Sequence, residues 1–335
     1  MCGHTTDQTQ RDMVWSQTSV AALPTSTKVS VRPQIESSDI ACRLGRGRVL
    51  PQNRHCLTFC HLVSVPTGWP KLAQHTLWAT PDSGVAVGIL APASASTPAG
   101  SVAVTTDYPF GDYVRIEASA LLSPFPVYVR VPGWAGGDGE GGGTAELLVE
   151  SSAGSKPLSL AGKNGTFILV GHAPVGKSAP LRATLRLKPT LRIEEWSSGG
   201  FSVHRGPLMF ALPVAPAFTT VAHHFGTPSQ SNDYDTTNAS QWQYALVANR
   251  TDPSADLMFE RIGGSAPAPF NHTGWPVVVR ARVRPLPGWT TSLNSAAEPP
   301  VSPACAAAGS CGAEEDVLLV PFGASDLRIG MFPLA

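Results

Sequence analysis

An all-β chain made of two tandem β-sandwich (jelly-roll-like) domains is what the sequence predicts, and three observations predict it. Gly (32) and Pro (31) together make up almost a fifth of the 335 residues, a bias that breaks helices and multiplies tight turns. Between the turns stand short runs rich in Val, Ile, Leu, Tyr and Phe, of about strand length. These runs recur at the close spacing of sandwich strands rather than at the spacing of βα units. A disordered chain shares the Gly/Pro bias but lacks such apolar runs. Here hydrophobic residues reach 42% against 14% charged, enough for a sizeable core.

Taken in order, residues 1–66 form an irregular segment without sustained periodicity, 67–190 a first sandwich, and 191–335 a second sandwich with loop insertions. GWPKLAQHTLW at 68–78 reads as a short helix with Pro70 in its first turn, where the missing N–H costs little. TPDSG at 80–84 is a turn. Strands are expected over 84–92, 101–110, 113–121 and 126–134. Within the last, VYVRV puts Val127, Val129 and Val131 on one face and Tyr128 and Arg130 on the other. The Gly-rich stretch 136–143 has no side chains to pack and reads as a mobile loop. AELLVES, GTFILVG and LRATLRLKP complete the first sandwich. In the second, 201–214 is strand-like on both sides of a turn at Gly206-Pro207. QYALVA, WPVVVRARVRPL and DVLLVPFG are further strands. Residues 215–245 look polar and irregular, and 290–315 a Ser/Ala/Pro-rich loop.

Charge narrows the partners. Lys+Arg (24) balance Asp+Glu (24), and no segment concentrates either sign. Without a basic stripe there is nothing to neutralise nucleic-acid phosphates, and the polybasic route to anionic membranes is missing too. No apolar run reaches 18 residues. A neutral partner such as a sugar fits. The first residues lack the apolar core of a signal peptide, whereas four Asn-x-Ser/Thr sequons (Asn164, Asn238, Asn249 and Asn271) are compatible with secretion. The compartment stays open. Of six cysteines, Cys2, Cys42, Cys56 and Cys60 lie early and Cys305 and Cys311 late. The late pair either closes a short disulfide in an oxidising compartment or remains two thiols in a flexible insertion.

Six phrases then appear in order over about 265 residues: GWPKL at 68–72, ATPDSGVAVGILAPA at 79–93, DYPFGDYVRIE at 107–117, PVYVRVPGWA at 126–135, HRGPLMFAL at 204–212 and VPFGASDLRIGMFP at 320–333. Together they resemble the C-terminal part of glycoside hydrolase family 127, the β-L-arabinofuranosidases. The resemblance implies an (α/α)₆ catalytic barrel followed by two β-sandwiches, so that 1–66 would be a remnant of the barrel and the chain a truncated form. It also implies retaining hydrolysis of L-arabinose-containing glycans, plant-type or other. In that chemistry a zinc-held cysteine thiolate is the nucleophile and a glutamate the acid/base, since the metal keeps the thiol deprotonated.

In the family a Cys-Cys pair precedes the GWPK phrase, and that spacing falls on Cys60 and His61. Cys60 is thus the aligned nucleophile position, and Cys60 with His61 the candidate zinc ligands. Two other readings stand beside it: Cys56, Cys60 and His61 binding zinc on their own, and ordinary thiols, which fits the departures best. His61 replaces the second cysteine, and no Glu-x-Cys element is present, since neither Glu36 nor Glu117 has a cysteine two residues on. The expectation is therefore a chain that binds no zinc and hydrolyses little or nothing, the alternative being a non-catalytic carbohydrate-binding or structural module.

The remaining candidates have structural readings of their own. His204 and Arg205 end a strand before the Gly-Pro turn rather than touch substrate. Trp69 and Trp134 either stack on sugar or pack in the core, and packing is favoured. His223 and His224 lie in a solvated loop. Glu194 and Glu195, adjacent on a strand, point to opposite faces and do not share a glycosidic bond.

Overall fold

The computed structural model describes residues 71–137, 142–150, 157–176, 179–223, 232–238, 240–263, 274–292, 295–325 and 327–335. The segment expected to be a barrel remnant lies outside them. Apart from a helical turn at 71–74 and two short 3₁₀ turns, the regular elements are strands, as the sequence predicts.

The first ten strands are β1 (Leu77–Ala79), β2 (Val85–Val87), β3 (Ala93–Thr97), β4 (Gly100–Thr106), β5 (Tyr113–Ala120), β6 (Phe125–Arg130), β7 (Gly143–Val149), β8 (Leu158–Ser159), β9 (Phe167–Ala173) and β10 (Leu181–Pro189). They form a four-stranded sheet in the order β1-β2-β6-β9 and a six-stranded sheet in the order β3-β4-β5-β10-β7-β8. Alternation decides which side chains meet. Val87, Val127 and Val129 from the smaller sheet and Val104, Val114, Ile116, Leu185 and Leu187 from the larger one share a single core. Two sheets, each burying one face against the other, make a sandwich.

The remaining strands are β11 (Leu191–Glu195), β12 (Phe201–Arg205), β13 (Leu208–Pro213), β14 (Pro216–His223), β15 (Asn232–Asn238), β16 (Tyr244–Val247), β17 (Leu257–Arg261), β18 (Val277–Pro285), β19 (Thr291–Ser292), β20 (Ser295–Ala296), β21 (Glu315–Pro321) and β22 (Arg328–Ile329). Eight of them belong to one sheet, ordered β11-β12-β13-β21-β18-β16 with β17 on β18 and β22 on β13. This sheet curls. The C-terminal tail pairs Phe332 with Phe201 near one edge and Leu334 with Leu246 near the other, so both margins close on one short segment. Inside the curl Val203, Phe210, Leu246, Val279, Leu319 and Phe332 form a second core.

Local expectations are corrected at five places. The helix proposed at 68–78 ends at residue 74 within the described part, because Gly88 N–H donates to the Thr76 carbonyl (2.9 Å) and draws the chain into β1. The strand proposed at 84–92 shrinks to β2, since the same bond turns the chain out of the sheet at Gly88. The polar stretch 215–245 is not irregular throughout: β14 and β15 pair antiparallel over seven register positions. Backbone pairing and the β preference of Thr, Phe, Val and Tyr act there. Within the 290–315 loop, β19 and β20 form a small hairpin. The far end of the glycine-rich stretch is ordered too, with Gly143 paired to Pro189 in β7. No helix among the described residues is long and apolar enough to cross a membrane.

Candidate functional site

Two of the polar side-chain clusters among the described residues are a clasp between the two cores and a network on β11 and β12. The clasp is built on Asp112, which follows the turn at 107–111 and precedes β5. Arg205 at the end of β12 donates to both carboxylate oxygens, Nη1 to Oδ1 and Nη2 to Oδ2, each at 3.2 Å. Arg261 at the end of β17 adds Nη2 to Oδ2 at 2.6 Å and binds the Phe110 carbonyl with Nη1. Both guanidinium groups lie over the Phe259 ring, at 3.8 and 5.5 Å from its centroid. A bidentate pair of this kind fixes orientation as well as distance.

Next to it, Trp134 seals the same seam. Its Nε1 donates to the Tyr108 hydroxyl at 3.4 Å, and its ring covers Gly206. That glycine turns at φ +54, and a Cβ there would stand 3.3 Å from Trp134 Cζ2. Burial raises the Tyr108 phenol to about 12. Three of the six phrases meet here: 107–117 and 126–135, which are near each other in the chain, and the distant 204–212.

The second cluster is cross-strand. The antiparallel register sets Arg192 opposite His204 and Glu194 opposite Ser202. Trp196 Nε1 donates to Ser202 Oγ at 2.6 Å, and Ser202 Oγ lies 2.7 Å from His204 Nε2. The Ser202 hydroxyl thus bridges the Trp196 indole and the His204 imidazole. Burial first, and the nearby Arg192 charge second, press the His204 imidazole down to about 3. It is neutral at physiological pH, so the 3.6 Å approach of Glu194 Oε2 to Nε2 is not an ion pair.

Ser, His and Glu side by side invite comparison with a nucleophilic triad, and the geometry denies it. Ser202 is fully buried. Glu194 approaches the same ring nitrogen as the serine, whereas an orienting carboxylate must hold the other one. The network positions Trp196 and ties β11 to β12.

The candidates from the sequence are distributed as follows. Cys60, His61, Cys56, Trp69 and His224 lie outside the described residues, and His223 ends β14. Glu194 and Glu195 do face opposite ways: Glu195 pairs with Arg250, Glu194 with Arg192. His204 sits buried in β12, and Arg205, at the end of that strand as expected, holds the clasp. Trp134 packs at the seam. Cys305 and Cys311 are joined as a disulfide. Sequence reasoning did not single out Asp112, Trp196 or Ser202. The phrase DYPFGDY contains Asp112, but only the fold pairs it with Arg205, 93 positions on.

Zinc does not fit the described residues. Among them no group of three or more His, Cys, Asp and Glu side chains comes together, and the disulfide removes Cys305 and Cys311 as thiolate ligands.

No family model matches the chain, and no curated protein matches it. Among solved structures the chain is similar to a protein described as a glycoside hydrolase, at 15% identity and a TM-score of 0.48, over 78% of this chain and 37% of that one. It is similar to a GH127 β-L-arabinofuranosidase from Geobacillus stearothermophilus T6 at 14% and 0.45, over 78% and 35%. A further GH127 β-arabinofuranosidase aligns at 13% and 0.46, over 78% and 36%. The chain spans roughly a third of the length of these proteins.

Proposed function

We propose that this chain is the β-sandwich body of a glycoside hydrolase of the family 127 type, related to enzymes that act on L-arabinose-containing glycans, and that by itself it binds no zinc and hydrolyses little or nothing. The observation that supports the reading is the convergence of the three phrases on one seam. Residues chosen for their likeness to the family turn out to contact one another through Asp112–Arg205 and through Trp134 with Tyr108 and Gly206. In such an enzyme this body would brace the catalytic barrel. A thiolate needs its metal and its acid/base carboxylate to cleave a glycoside, and the described residues supply neither arrangement.

The test has two parts. The purified chain is assayed on a chromogenic β-L-arabinofuranoside and analysed for metal; no release and no zinc are expected, and release with stoichiometric zinc would refute the inactive reading. The family reading is tested by reading genomic DNA upstream of residue 68 in all frames. A Glu-x-Cys element and a Cys-Cys pair are expected, and their absence counts against it. A second reading, a non-catalytic carbohydrate-binding sandwich, is favoured by the half-exposed aromatic residues on the outer face of the smaller sheet.

A further inference from the structure

The smaller sheet of the sandwich has one face in the core and one face outward. Register places Trp78, Ala86, Tyr128 and Leu169 in one row across the outward face of β1, β2, β6 and β9. Phe167 stands opposite Arg130 one step along. Strands β1 and β9 are separated by β2 and β6, about 14 Å at the usual strand spacing, yet the Trp78 and Phe167 ring centroids are 5.7 Å apart. Both rings therefore lie down across the sheet. Gly88 makes room for this, since a Cβ there would meet Trp78 Cε2 at 2.9 Å. Within the row, Tyr128 donates its hydroxyl to Asp82 Oδ2 at 2.6 Å, and Thr80 donates to Oδ1.

The polar groups of this face are partly committed already. The indole N–H of Trp78 is already given to the His75 carbonyl, and the hydroxyls of Tyr128 and Thr80 to Asp82. What remains is ring surface and acceptor capacity on Asp82 and Tyr128 oxygen. The two hydrogen bonds, that from Thr80 first, hold the Asp82 carboxyl below its ordinary range, so it is an acceptor at neutral pH. A ligand that suits these must bring O–H donors and apolar C–H faces. Asp82 repels an anion, and Arg130 stands on the same face of β6. An apolar protein surface or acyl chain would have to strip water from both.

We propose that this face, centred on Trp78, Phe167, Tyr128 and Asp82, is a binding subsite for a neutral sugar residue of a glycan, stacked on the rings and hydrogen-bonded through its hydroxyls to Asp82. The inference deepens the second reading above and needs no hydrolysis by this chain. The test is native electrophoresis of the full chain through gels containing sugar-beet arabinan, arabinoxylan or hydroxyethylcellulose, with a non-binding reference protein in each lane. Retardation by at least one polysaccharide is expected, and Trp78→Ala should weaken it roughly tenfold, the equivalent of one aromatic contact. Because Trp78 also covers Gly88, the exposed substitutions Phe167→Ser and Asp82→Asn are run beside it, and each should weaken retardation severalfold while leaving the circular dichroism spectrum unchanged. No retardation of the unmodified chain by any of the three overturns both the site and the binding-module reading. Retardation that all three variants retain in full overturns the site alone.

Discussion

Replacing Phe332 with alanine should open the curled sheet while leaving the sandwich folded. Phe332 is fully buried in the second core, and its backbone exchanges two hydrogen bonds of 2.8 Å with Phe201. The substitution keeps those bonds and removes only the ring. Burial of a large apolar side chain is worth about 1.5–3 kcal/mol by area, and the cavity left behind raises the loss to about 3–5 kcal/mol. Deleting residues 332–335 goes further. It also removes the bonds from Leu246 N to the Pro333 carbonyl, Ala335 N to the Leu246 carbonyl and Ala304 N to the Leu334 carbonyl, each worth about 1 kcal/mol. The deletion should therefore leave the second core unable to close. Urea unfolding followed by hydrogen exchange reads both effects. Amides of β12 and β16 should lose protection, and those of β4, β5 and β10 should keep it. A loss below about 1 kcal/mol for Phe332→Ala, or equal deprotection of both cores, would refute the idea that the tail closes the sheet.

Three further outcomes are expected. Asp112→Asn should cost about 2–3 kcal/mol, between the values for exposed and buried pairs, because it leaves the largely buried Arg205 without its counter-charge; a change in urea midpoint equivalent to under about 0.5 kcal/mol would show the clasp to be incidental. His204 is depressed to about 3 in the folded chain against 6.5 unfolded, so on acidification the unfolded state takes up the proton first. Stability should thus be full above about pH 6.5 and fall by about 1.4 kcal/mol per pH unit between 6.5 and 3; His204→Gln should flatten that dependence, and an unchanged slope would remove His204 as its source. Opening the Cys305–Cys311 disulfide, with a sequence separation of 6, should cost about 2 kcal/mol on loop entropy, read as a lower melting temperature in reductant that the double serine variant reproduces without it. Melting curves that coincide with and without reductant would contradict this.

Much of the strand content was legible because alternation is a local property. Val127, Val129 and Val131 announce a buried face wherever they occur, and turn residues mark where each strand ends. Legibility failed where side-chain hydrophobicity did not decide the outcome. The hairpin of β14 and β15 has a polar second strand, and its order comes from backbone pairing with a partner 9 or more residues away. The glycine-rich stretch joins β7 at Gly143 because Pro189 stands opposite it. In the candidate site, the opposed faces of Glu194 and Glu195 followed from strand geometry alone. The clasp and the Trp196–Ser202–His204 relay did not, since their members are brought together by register.

By itself the sequence determined that this chain builds strands and turns, has no formal net charge and carries phrases resembling one glycosidase family. Each of these rests on residue identity and near-neighbour spacing, which survive in an unfolded chain. Tertiary structure alone decided that Asp112 meets Arg205, that the C-terminal tail closes the second sheet, and that Trp78 reaches Phe167 across two intervening strands. Those contacts depend on which strands become neighbours. That choice is made by the summed burial of two cores and the hydrogen-bond register between distant segments, not by any window of sequence.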